Sequence, residues 1–400
     1  MKKRIFISAF ISALMIFTGY TVYAESPIIE SGRTVIVEDT VSDTPGASGE
    51  PVEIVSAPES LTILFMGDIM GHDSQINSAL QPDGVTYDYN SCFDYIRDYI
   101  SKADLAIANL EVTLAGPPYK GYPRFSSPDA LAAASRDAGI DVLVTANNHS
   151  VDRGRQGLER TIKTLDDLNI PHTGTFLSKA DKEKNSPLII EKNNFKIALI
   201  NYTYGTNGIP VPEPSVVNLI RIDRIKADIA AARAQKPDAV ILFLHWGNEY
   251  QREPDSRQTA LAEECFKAGA DIIIGSHPHV IQKSILERKT GGMRFISYSL
   301  GNFIANQKAP GTKGGKMIRL TLSKDQGVTT ISKGEYILTW IYGTVVNRKK
   351  KFYILPCKDF ENRPEFFSAH ELFKQMKAYI EESRKLLNSQ NKNVDEERGL

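Results

Sequence analysis

From residue 61 to about residue 302 the chain alternates two hydrophobic patterns. Short, almost uninterrupted apolar runs fall at 61–66, 105–108, 142–145, 196–200, 239–244, 271–274 and 294–300. Between several of them, apolar residues recur at helical spacing over 92–101, 129–138, 154–168, 221–234 and 256–268. A strand with one solvated face alternates polar and apolar residues, so continuous runs predict strands covered on both faces. Strand–helix alternation then predicts an α/β fold built on a parallel sheet.

Past residue 302 the alternation stops. Segments 316–322, 328–332 and 335–344 read as antiparallel strands that extend or cover the sheet. Over 365–387 the residues Phe366, Leu372, Met376, Ile380, Leu386 and Leu387 recur at helical spacing among many charges. This predicts an amphipathic closing helix, within a terminal region 366–400 that ends in a polar, frayed tail from Asn388.

At the other end, Lys2, Lys3 and Arg4 precede an apolar run over 5–17 and a Val22-Tyr23-Ala24 ending. A basic start, an apolar stretch of about 7–15 residues and a small-x-small ending describe a secretory signal peptide. An uncleaved anchor is the alternative, and either places the rest of the chain outside the cytoplasmic membrane. No cysteine follows Ala24, which argues against a lipoprotein. Residues 25–60 hold eight acids and one Arg among Pro, Gly and Ser, the composition of a mobile acidic tether. The folded domain is thus expected over 61–365.

Charge changes this picture little. The 48 basic and 48 acidic residues balance, and without residues 1–24 they leave 45 against 48, a formal charge of −3. Such a chain lacks the broad basic face of a nucleic-acid binder. Cys92, Cys265 and Cys357 are widely spaced, forming neither a disulfide framework nor a metal cluster, and the first two, in expected helices, read as buried thiols.

The informative polar residues stand just after the apolar runs. Asp68 follows the first, Asn109 and Glu111 the second, and Asn147, Asn148 and His149 the third; His245 and then Gly275-Ser276-His277-Pro278-His279 follow two later ones. In an open parallel sheet these ends share one edge, where ligands bind. Taken singly, Gly67-Asp68 could be a turn, Glu111 a solvated acid and Asn148-His149 a helix cap. Taken together, carboxylates and four of the seven histidines converging from five strands predict a divalent-metal site. Such donors suit Mn, Zn or Fe, and a bridging carboxylate is the usual way to hold two ions about 3.5–4 Å apart. No phosphate-binding glycine loop and no G-x-S-x-G elbow are present. A glycosidase acid pair would leave the histidines unexplained.

Gly67-Asp68, Asn109-Leu110-Glu111, Asn147-Asn148-His149 with Asp152 and Gly154, His245-Trp246-Gly247 with Glu249-Tyr250, Gly275-Ser276-His277-Pro278-His279 and Ser299-Leu300-Gly301-Asn302-Phe303 occur in this order. Over about residues 61–306 the chain resembles the CapA family of poly-γ-glutamate capsule-synthesis proteins, a branch of the calcineurin-like metallophosphoesterase superfamily. The resemblance implies a four-layer αββα sandwich and attachment to the outer side of the bacterial membrane. It implies Asp68 and His279 on one ion, Asn148, His245 and His277 on a second, Glu111 bridging where Asp is usual, and His149 as general acid near the leaving group. The superfamily's His two residues after the first Asp is here Met70, with His72 two further on. That departure bears on whether one ion or two is held. Arg124 is a candidate clamp for a carboxylate or phosphate, and Asn302 is expected to line the same edge.

Two functions fit these expectations. One is an extracytoplasmic metal-dependent hydrolase acting on a phosphoester, or on an amide in an anionic wall or capsule polymer. The other is a polymer-binding or assembly component beside capsule-polymer synthase subunits, with the metal gripping polymer carboxylates.

Overall fold

A computed structural model describes residues 58–289 and 292–397. The expected export segment 1–24 and nearly all of the acidic tether lie outside the described residues. The tether's last residues belong to the fold, because the first strand already begins at Glu59.

Two large mixed sheets carry the architecture. The first orders its strands Lys349–Pro356, Val328–Val346, Gly314–Asp325, Glu59–Ile69, Leu105–Leu110, Val142–Val144 and His172–Thr173, with Asn302–Ile304 and Asp395–Glu396 paired beside this path. The second orders Ser284–Lys289, Gly292–Ser297, Ile272–Ser276, Ala239–His245, Phe195–Thr203 and Leu188–Lys192. Within each, the strands that end at polar residues run parallel to one another.

Side chains alternate across a strand, which explains the continuous apolar runs. Leu61, Ile63 and Phe65 of the first strand, with Leu105, Ile107, Val142 and Val144, meet Phe195, Ile197, Leu199, Ile241, Phe243, Ile272 and Ile274 of the second sheet. Leu64, Met66, Ala106, Ala108 and Leu143 instead face Phe93, Ile96, Ile100, Leu131 and Leu165 of the helical segments. On the far side, Ala198, Ile200, Val240, Leu242 and Leu244 pack on Ile225 and Ile229 of helix Ile222–Ala234 and on Ala262 and Cys265 of helix Ser256–Ala268. The layers therefore run helix, sheet, sheet, helix, the αββα order that the resemblance implied. The strand ends gather between two facing sheets rather than along the one open edge expected.

Several boundaries differ from the pattern. The helix expected over 92–101 is a 3-10 turn at Asn90–Phe93 and a short helix at Arg97–Ser101. The two strands expected over 328–344 are one, Val328–Val346, whose pairing absorbs a register shift at Thr321/Leu322. The closing helix spans His370–Gln390, and its Met376, Tyr379, Ile380 and Leu387 complete the inter-sheet core. The tail, expected to fray from Asn388, is held through Glu397. The Lys392 N–H donates to Ser284 O (3.1 Å), Asp395–Glu396 pairs in parallel with Val328–Val346, and Arg384 spans Glu361 (2.6 Å) and Glu396 (2.7 Å). All three cysteines are buried and free. Among the described residues no helix is long and apolar enough to cross a membrane.

Candidate metal centre

The first sheet delivers the carboxylates. Gly67 is required where the first strand ends, because a Cβ there would lie 1.9 Å from Gly301 O. This close approach lets the Asp68 N–H donate to the same oxygen (3.1 Å) and turns Asp68 inward. Asn109, near the end of the next strand, donates from Nδ2 to Asp68 Oδ1 (2.8 Å), and Glu111 follows two residues later, fully buried.

The second sheet delivers the imidazoles. His245 closes its strand and Ser276 closes the neighbouring one, with Nδ1 of His245 2.9 Å from Ser276 Oγ. Nε2 of His245 lies 2.7 Å from Asn148 Oδ1 and 3.5 Å from Glu111 Oε1. Beyond Ser276 the backbone enters the left-handed region twice, at His277 (φ 95°) and His279 (φ 57°). Non-glycine residues rarely adopt this conformation, and it gathers at functional sites where the surroundings impose it. It brings both rings of His277-Pro278-His279 to the centre, their centroids 5.9 Å apart.

Glu111 is common to both buried donor groups, Glu111–His277–His279 and Asp68–Glu111–His245, in each of which the ligand atoms lie within 4.8 Å of one another. A shared Glu111 fits the bridging place. Asp68 Oδ2 also lies 3.2 Å from His279 Nδ1, and the His245 and His277 rings are 4.8 Å apart, so the residues the resemblance joined are neighbours here as well. Asn148 is buried beside them, its Oδ1 at Nε2 of His245 and its Nδ2 donating to Asn207 Oδ1 (3.1 Å).

The electrostatics describe a pocket short of positive charge. Burial, reinforced by the negative charge of Asp68, drives the Glu111 pKa well above the usual carboxylate range. For Asp68, burial opposes ionisation, but hydrogen bonds from His279 and Asn109 and the nearby imidazoles bring its pKa below normal. Burial lowers His245 to about 3 and takes His277 well below its usual value, so both remain neutral, as metal ligands must. Both Glu111 carboxylate oxygens and His277 Nδ1 are buried without a hydrogen-bond partner. Leaving buried polar atoms unpaired costs about 1–3 kcal/mol each. A divalent cation held here would give such atoms partners, and mixed carboxylate–imidazole donors suit it. The residues present fit the group.

His149 sits beside the cluster. Its Nδ1 is 2.7 Å from Asp152 Oδ2, which also accepts the Phe125 N–H (2.7 Å), and the Phe125 ring meets the imidazole edge-on at 4.6 Å. Asn302, expected to face substrate, is instead committed within the protein. Its Oδ1 lies 3.0 Å from His279 Nδ1 and its Nδ2 donates to Gln307 and to Thr312 O, so it orients His279. Arg124 is exposed and without a partner on the loop leading to Phe125.

Sequence reasoning gave no role to Ser276, nor to Asn109 or Asp152 as orienting groups, although all stand in the motifs quoted. It missed Tyr204 altogether. Tyr204 follows strand Phe195–Thr203, is 47% exposed, and sets its ring 4.5 Å from His277 and 6.4 Å from His245. The rule that singled out the other strand ends also reaches this one.

Two facing sheets flanked by helices thus bring together buried His/Asp/Glu groups that could hold a divalent cation. The chain belongs to the bacterial capsule synthesis protein family PGA_cap, which matches residues 62–307. It is 30% identical to the capsule biosynthesis protein CapA of Bacillus anthracis over 286 residues, which cover 68% of this chain and 66% of that protein. It is 27% identical over 288 residues to the PGA biosynthesis protein CapA of Bacillus subtilis (strain 168), covering 70% and 72%. The match thus spans slightly under two thirds of the first relative. Among solved structures, the NAD nucleotidase NadN of Haemophilus influenzae gives a TM-score of 0.45 at 16% identity, covering 86% of this chain and 65% of that one. The calcineurin-like phosphoesterase YfkN of Bacillus subtilis gives 0.43 at 16%, covering 82% and 98%.

Proposed function

We propose that this chain works outside the cytoplasmic membrane on an anionic capsule-type polymer of the poly-γ-glutamate kind, through a divalent-metal site of hydrolytic type. Asp68, Glu111, Asn148, His245, His277 and His279 would hold one or two ions of Mn, Zn or Fe. The observation that carries the reading is the buried set of unpaired atoms, Glu111 Oε1 and Oε2 with His277 Nδ1, among neutral imidazoles. A site kept only for packing would pair these atoms or replace them with apolar ones.

When bound, a divalent cation supplies Lewis-acid polarisation of the scissile phosphoester or amide bond. The protein does the rest. Asp152 fixes the His149 ring by its Nδ1 and leaves Nε2 to deliver a proton to the departing group. Ser276 and Asn109 hold His245, while Asn302 holds His279, so the donors are oriented in advance. The near-neutral body does not attract an anionic polymer by overall charge, so capture falls to the metal edge and to local cations such as Arg124. Polymer-synthase subunits at the membrane are the partners this role requires.

Metal analysis of the purified protein is expected to find Mn, Zn or Fe, and failure to bind any of them refutes the site. His149→Ala and His277→Ala then separate the two uses of it. A hydrolase loses turnover in both, whereas a component that only grips polymer tolerates the first and fails with the second.

A further inference from the structure

Met70 and His72 stand where the superfamily pattern leads one to look for a further ligand. Met70 is buried in the apolar core beneath the first sheet, so it offers the site nothing polar. His72 belongs to neither donor group of the metal centre. Its Nδ1 accepts the backbone N–H of Asn306 at 3.2 Å, which has no other acceptor. Gln75 Oε1, 3.3 Å from the same nitrogen, already accepts the His72 backbone N–H at 3.1 Å. With Nδ1 taken as acceptor for the Asn306 N–H, the imidazole proton is assigned to Nε2. That atom has no protein partner and is not among the buried unpaired ones, so it is open to solvent.

One aromatic ring separates it from His149 at the edge of the metal centre. The His72 ring lies edge-on to Phe125 at 5.5 Å, and the same Phe125 ring meets His149 at 4.6 Å. Burial lowers the His72 pKa to about 4, and positive charge on His279 or His149 would lower it further, so the three imidazoles share one electrostatic neighbourhood. His72 is thus a neutral N–H donor across the physiological range. The loop that carries Arg124 docks on the same turn. Gly121 N–H donates to Asp73 Oδ1 (2.8 Å), and a Cβ on Gly121 would lie 2.6 Å from the Asp73 nitrogen.

We propose that His72 is an anion-recognition position beside the metal centre, donating from Nε2 to a terminal oxygen of a phosphoryl or carboxylate group on the ligand, and that it is not a metal ligand. The proposal rests on the metal reading above, and names the part of the substrate that this wall of the site would grip. A hydrogen bond to an ionised oxygen is among the stronger ones and selects for charge.

The test uses the purified protein loaded with Mn²⁺, titrated separately with inorganic phosphate and with a γ-linked glutamate oligomer. His72 also caps helix Asp73–Ala79, so His72→Ser is the variant of choice, because serine preserves a good N-cap. His72→Ser is expected to bind Mn²⁺ as the wild type does and to melt within about 2 °C of it, yet to bind its anion roughly tenfold more weakly. His72→Gln, which keeps an N–H donor, should restore part of that affinity. A loss confined to phosphate assigns the position to a phosphoester, and a loss confined to the oligomer assigns it to polymer carboxylates; either supports the proposal. Equal losses of Mn²⁺ and anion affinity would make His72 a ligand and overturn it. Unchanged anion affinity with intact Mn²⁺ binding overturns this assignment alone, whereas a wild type that binds no divalent ion overturns the metal reading as well.

Discussion

Glu111→Gln should reverse the stability ranking of variant and wild type according to whether metal is present. In chelator the wild type keeps a buried carboxylate with both oxygens unpaired, pushed toward protonation by burial and by Asp68. A neutral amide needs no proton uptake to sit there uncharged and can donate toward Asp68. At about 1–3 kcal/mol for an unsatisfied buried group, the variant gains roughly 2 kcal/mol. In a domain of this size that raises the melting temperature by about 4 °C. With metal at about 1,000 times its Kd, the wild type gains roughly 4 kcal/mol by mass action, and the variant, lacking the shared ligand, gains little. Thermal melts in EDTA and in excess Mn²⁺, followed by circular dichroism, give the four temperatures needed. A variant less stable than wild type in EDTA would show that Glu111 is already satisfied, and a wild-type melt unmoved by every divalent ion would remove the reason for its burial.

Other predictions address the groups around the cluster. Asn302→Ala frees the His279 ring and should weaken metal binding roughly 10–100-fold by calorimetry, with the fold intact. Asp152→Asn should leave metal affinity unchanged and lower any turnover by about 10²-fold or more, because His149 loses its orienting carboxylate. Lys316 is buried against Gln282 O and Ser284 Oγ, and burial lowers its pKa from 10.5 to about 7. Between those two values the unfolded chain binds the extra proton, so stability should rise with pH across that window, by about 5 kcal/mol in all. Below pH 7 both states are protonated and the folded state bears the whole cost. Urea melts from pH 7 to 10 should show the slope, and Lys316→Met should abolish it.

The donors were legible because both faces of the central strands are buried. Continuous apolar runs marked the strands, and polar residues just beyond them became the candidate donors: Asp68, Glu111, Asn148, His245, His277 and His279. The same continuity hid the division into two sheets. Leu61, Ile63 and Phe65 meet the other sheet while Leu64 and Met66 meet helices, and all five are equally apolar. Strand Lys349–Pro356 escaped notice because it opens on three lysines, whose long side chains tolerate an edge position that the apolar pattern does not mark. Asn302 was placed at the site but given the wrong partner, since spacing shows that an amide is near and not whether its atoms are already taken. The ordered tail rests on long-range pairing with Ser284 and Glu335, and no local pattern announces such contacts.

That tail bears on when the protein can acquire its metal during synthesis. Asp68 and Glu111 belong to one sheet, and His245, His277 and His279 to the other. The core between the sheets is completed by Met376, Tyr379, Ile380 and Leu387, and the final residues join Ser284–Lys289 of one sheet to Val328–Val346 of the other. Every metal donor leaves the ribosome well before these residues do. An emerging chain therefore carries all its ligands without the two sheets yet locked face to face. The donors of the proposed site would face one another only once the segment at Asp395–Glu396 has docked, so tight ion binding would follow that step.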